Sequence, residues 1–94
     1  MEIAKADIVQ SEAGRDKGKL FFVLDMEGEF LLLADGKSRK VETPKRKKRR
    51  HVQFVAADDN RLSHKIKSEE KITNSELRRA LAVFREKDYP IQEG

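Results

Sequence analysis

At 94 residues, with 21 lysines and arginines against 17 aspartates and glutamates, the chain has room for one domain and carries a net charge of +4. Hydrophobic residues make up 37% and charged residues 40%, so the core is small, and folding buries only about 60–65% of the unfolded surface. The absence of cysteine excludes disulfides, thiolate catalysis and cysteine-ligated zinc; no apolar run approaches about 18 residues, and neither a membrane span nor a signal peptide is read.

The first half reads as short strands separated by turns. Residues 7–11 carry Ile8 and Val9 and predict a first strand, ending at the polar loop 12–18. Residues 20–26, with Phe21, Phe22, Val23 and Leu24, are apolar on both faces, as in a strand buried between a barrel interior and a covering element. Glu27-Gly28 fits a tight turn into a third strand over 30–34, and Asp35-Gly36 is a stronger turn dipeptide. Residues 39–42 predict a short polar edge strand with Val41 inward, ended by Pro44, which has no N–H for a ladder. Val52, Phe54 and Ala56 alternate with Gln53 and Val55 as a fifth strand. Such spacing predicts a mainly β fold, a small barrel of about five strands. An open meander capped by a helix is the alternative.

The last third changes character. Asp58-Asp59-Asn60 marks a loop and a helix start, and Leu62 and Ile66 have the i, i+4 spacing of a short helix. Thr73 and Glu76 have the spacing of a capping box. The stripe Leu77, Ala80, Leu81 and Phe84 then predicts a helix from about residue 75 to 87, ended before Pro90. A helix this short is unstable alone in water, so its stripe has to pack on something. Residues 1–57 are therefore read as a β-barrel and 58–94 as a helical extension on or beside it, one domain overall.

Charge is spread unevenly. Residues 37–50 hold nine cations and one acid, Glu42, so the rest of the chain sums to about −4; such asymmetry points to a polyanionic partner. Two features concentrate it. Gly14 and Gly18 bracket Arg15-Asp16-Lys17, and glycines at positive φ bring backbone N–H groups near a ligand, with Arg15, Lys17 and Lys19 beside them as phosphate partners. An ordinary hairpin loop with solvated charges is the competing reading. Further on, Lys45, Arg46, Lys47, Lys48, Arg49 and Arg50 are six consecutive cations, whose mutual repulsion a polyanion relieves through counterion release. Lying between two predicted strands, they read as a hairpin loop that binds phosphates or stacks on unpaired bases, with Lys37, Arg39 and Lys40 extending the patch. A solvated flexible loop and a nuclear-targeting signal are the alternatives.

The stretch from Asp7 to Val23, with hydrophobic residues, then Gly14, Lys17-Gly18-Lys19 and an apolar exit, resembles a KOW motif. Ser11-Glu12-Ala13-Gly14-Arg15-Asp16-Lys17-Gly18, Ala34-Asp35-Gly36-Lys37 and Pro44-Lys45 are similar to small bacterial KOW-domain proteins that resemble archaeal and eukaryotic large-subunit ribosomal proteins. The resemblance spans roughly residues 5 to 56. It implies an SH3-like barrel and RNA binding, with Gly14 as the glycine on which the motif centres and Arg15, Lys17 and Lys19 as its basic loop.

The five phenylalanines lie in apolar stretches and are expected in the core, which disfavours single-strand stacking and favours folded RNA read by phosphate and shape. Tyr89 beside Pro90 either contacts a partner or caps the helix stripe. His51 and His64 lack companions at metal-ligand spacing, and no nucleophile–base arrangement or phosphate-binding loop is visible. The expectation is a cytoplasmic, non-enzymatic binder of structured RNA acting in translation, on ribosomal RNA of the large subunit. No cofactor, metal, membrane or small-molecule substrate is expected; ribosomal-protein contacts through the C-terminal helix are. A transcription-associated KOW factor and an SH3-like protein–protein module are the alternatives.

Overall fold

Alternating side chains and glycine turns build one sheet. A computed structural model, describing residues 2–87, has five strands: β1 (Ile8–Ser11), β2 (Leu20–Glu27), β3 (Phe30–Ala34), β4 (Lys45–Lys48) and β5 (Val52–Ala56). All are paired antiparallel, in the order β4-β3-β2-β1-β5. Gly28, at φ +62°, makes the tight turn between β2 and β3. Four strands follow one another as a meander, and the fifth returns to lie beside the first.

β2 is apolar on both faces because both faces are covered. Phe21 and Val23 join Val9, Leu31, Leu33, Val52 and Ile3 in an inner cluster. Leu20 and Phe22 point the other way, into a cluster with Ile8, Ala34 and the helical residues Ile66, Leu77, Leu81 and Phe84. Each such side chain contributes on the order of 1.5–3 kcal/mol when fully buried. Register shifts between Ile8 and Val9, and between Val23 and Asp25, bend the strands. The edge strands β4 and β5 are joined by a single 3-10 turn, Arg49–His51. These edges do not pair with each other among the described residues, so the sheet is not closed.

Two expectations are corrected here. Residues 39–42 are not a strand; the fourth strand is Lys45–Lys48, so the cationic run is itself an edge strand followed by a 3-10 turn rather than a hairpin loop. Pro44 precedes that strand instead of ending one, a place where its missing N–H is harmless. The chain over 35–43 is held as a loop by Asp35, whose carboxylate accepts from the N–H groups of Lys37 (2.9 Å) and Arg39 (2.8 Å) and from the Ser38 hydroxyl (2.9 Å). Partial burial alone would raise the Asp35 carboxyl, but these donors outweigh it and hold it below its ordinary value.

Two helices follow, α1 (Arg61–Lys67) and α2 (Asn74–Lys87). Asn60 caps α1 by accepting from the Ser63 N–H at 2.9 Å. The capping box of α2 is present: the Glu76 N–H donates to Thr73 Oγ1 (3.1 Å) and the Thr73 N–H to Glu76 Oε1 (2.8 Å). Leu77, Leu81 and Phe84 are buried against the sheet, and Ala80 is half-buried. Pro90 and Tyr89 lie outside the described residues.

The hydrogen bond from Lys65, then the Thr73 N–H, hold the Glu76 carboxyl below its ordinary value near 4.5. A carboxyl depressed in the folded state stabilises above its unfolded pKa and loses that contribution as pH falls through the folded value. Urea midpoints are therefore expected to fall between about pH 5 and pH 3, and Glu76→Gln should flatten that slope. Equal slopes for the two proteins would remove Glu76 from the account.

Candidate nucleic-acid interface

Three segments carry the cations. The first is the glycine loop, which contains the 3-10 turn Gly14–Asp16. Gly14 and Gly18 take φ of +75° and +90°, as a tight reversal requires. Its amides are used internally, however. The Lys17, Gly18 and Lys19 N–H groups donate to the carbonyls of Gly14, Ser11 and Asp16 at 3.2, 2.8 and 2.9 Å. The expected display of these N–H groups to a ligand is thereby corrected, and side chains are left to act: Arg15, Lys17 and Lys19 are all exposed.

The second segment is the 35–43 loop, where Lys37 and Lys40 are exposed. Its Arg39 guanidinium reaches the glycine loop, donating from Nη2 to Asp16 Oδ2 at 3.0 Å. Asp16 is 4% exposed, so this is a partly buried pair that fixes one loop against the other. Arg39 therefore assembles the patch rather than presenting its charge. Asp16 is the residue that reading the sequence missed, although an acid within a basic loop is itself a signal of a cationic partner.

The third segment is β4 with its 3-10 turn. Lys45 and Lys47 stand opposite Leu33 and Leu31, whereas Arg46 and Lys48 stand opposite Leu32 and Phe30. Side chains alternate across a strand, so the run divides between two faces. Lys47, on the face of the inner cluster, is 9% exposed and donates its ammonium to the Ala13 carbonyl at 2.9 Å. It is removed from any contact surface and instead ties β4 to the glycine loop. On the opposite face the Arg46 guanidinium lies 3.7 Å from the Phe30 ring centroid, with Lys48 Nζ at 6.0 Å, and Arg46 Nε meets Glu27 Oε1 at 3.3 Å. Phe30 and Phe54 are half-buried, unlike Phe21, Phe22 and Phe84, which corrects the expectation of five core phenylalanines.

The Glu12 N–H donates to the His51 carbonyl at 2.8 Å, so the turn after β4 also abuts the glycine loop. Arg50 is exposed, and Lys45, Lys48 and Arg49 are half-buried. Of the six cations, Arg46 is the one in a salt bridge among the described residues. No protein-family model matches the chain, and no curated protein matches it.

A lysine-rich edge strand has a second physical consequence, since cations there oppose edge-to-edge pairing with another copy. That effect accounts for Lys45–Lys48 but not for the exposed Arg15, Lys17, Lys19, Lys37 and Lys40 on the neighbouring loops. Among the described residues, no three of His, Asp and Glu are gathered as metal ligands, and no helix is long and apolar enough to cross a membrane.

Proposed function

We propose that the protein is a KOW-type, SH3-like domain that binds structured RNA in the cytoplasm, most specifically ribosomal RNA of the large subunit, and that it is not an enzyme. The strand order supports the barrel assignment, with β5 returning to β1 and a 3-10 turn joining the two sheet edges. The observation that carries the reading is the pair of contacts from Lys47 to Ala13 and from Arg39 to Asp16. They hold the glycine loop, the 35–43 loop and the end of β4 side by side. In this reading the exposed cations of the three segments serve one partner, and neutralising about five phosphates would give a slope of log K against log salt of roughly −3.5 to −4.5.

A protein–protein module docking through the α2 stripe needs that stripe free, and it is covered by the sheet. Contacts of α2 with ribosomal proteins would use its outer face, where Val83 is 52% exposed. Sedimentation of cell lysate through a sucrose gradient tests the proposal. The protein is expected to co-migrate with the large subunit and to be released by salt. Migration with RNA polymerase would support a transcription-associated role, and nuclease-resistant, salt-resistant complexes would support a protein partner.

A further inference from the structure

Where the turn Arg49–His51 enters β5, an open depression of about 540 Å³ lies at the edge of the inner cluster. Ile3, Val52 and the half-buried Phe54 supply apolar side chains, and Arg49 and Arg50 line it as well. The Nε of Arg49 is buried and has no hydrogen-bond partner among the described residues. A buried N–H left without an acceptor is costly, and a turn of the Arg49 side chain toward the depression would let this donor meet an acceptor from outside the chain. Glu12 also lines the depression; its carboxylate repels a phosphate placed inside but accepts from the amino group of a base.

From these features we infer that the depression receives one unpaired nucleotide of the bound RNA, a specificity site that rests on the RNA-binding reading above. The base lies against Phe54 with its amino edge toward Glu12. Its own acceptors, or those of the ribose, satisfy Arg49 Nε, and the flanking phosphate stays at the rim on Arg50. Duplex phosphates alone explain neither the aromatic side chain nor the carboxylate. A solvent-exposed nucleotide would leave the Arg49 donor unmet.

The test uses two RNA hairpins that differ only in a single bulged cytidine, with binding followed by fluorescence anisotropy. The protein is expected to prefer the bulged hairpin by about tenfold. Phe54→Leu keeps apolar bulk but removes the aromatic face, and should abolish most of that preference while leaving affinity for the plain hairpin unchanged. A 2-aminopurine at the bulge should change its fluorescence when the unmodified protein binds, a readout that does not depend on the variant folding. Equal affinity for both hairpins, or an unchanged 2-aminopurine signal in the complex, overturns the nucleotide site and leaves RNA binding standing. Binding to neither hairpin overturns both.

Discussion

Reversing the charges of Arg46, Lys48 and Arg50 to glutamate is expected to weaken RNA binding by roughly 10²–10³-fold at moderate salt. Arg46 and Lys48 stand on the outward face of β4, and Arg50 is exposed on the turn that follows. For each phosphate that goes without its cation, about one fewer counterion is released, so the salt slope should become shallower by about three. Because phosphates carry no sequence information, the weakening should be uniform across RNAs. Lys47 supplies the contrast. Its ammonium is bonded to Ala13, so Lys47→Met is expected to lower stability by about 1–2 kcal/mol while leaving the salt slope nearly unchanged. Filter-binding titrations of both variants at several salt concentrations check this. Unchanged affinity in the triple variant would show that β4 is only a protected sheet edge.

Much of the sheet was legible because its signals are local. The apolar doublets of β2 and β3 and the alternation in β5 need no knowledge of the rest of the chain. The capping box of α2 was legible for the same reason, since Thr73 and Glu76 satisfy each other's backbone. β4 was not legible. Strand patterns are read from apolar alternation, and a run of cations hides its own, even though a lysine stem can lie along apolar surface as that of Lys47 does. Residues 39–42 misled because Val41 does turn inward against the helix-side cluster, but from a turn rather than a strand, with its N–H donating to Asn74 Oδ1 at 2.8 Å. The basic segments were recognisable one by one, but the division of labour among their side chains was not. Arg39 and Lys47 became internal ties only through Asp16 and Ala13, which are 23 and 34 residues away in sequence. Long-range pairings of this kind leave no periodic trace.

The same long-range logic makes Gly36 the most crowded of the four glycines at positive φ among the described residues. Its φ of +79° suits glycine, and a Cβ built there would collide with the Asn74 carbonyl oxygen and crowd Arg78 Cγ at 3.2 Å. The start of α2 is docked against this turn, with Arg78 Nη1 donating to the Gly36 carbonyl at 2.6 Å. Gly36→Ala therefore combines left-handed backbone strain with a clash against main chain that a rotamer change cannot relieve. The expected destabilisation is about 2–4 kcal/mol, a large part of the stability of so small a domain. The melting temperature should drop by about 10–25 °C. Gly18→Ala isolates the strain, because Gly18 has φ +90° but open space where a Cβ would go. It should cost about 1–2 kcal/mol. Denaturant unfolding of both variants separates the contributions, and equal destabilisation would mean that α2 yields at Gly36 and is not firmly seated on the sheet. Seated firmly, α2 buries the outer faces of Leu20 and Phe22. The 35–43 loop, which carries Lys37 and Lys40, is thereby held between the start of α2 and the glycine loop.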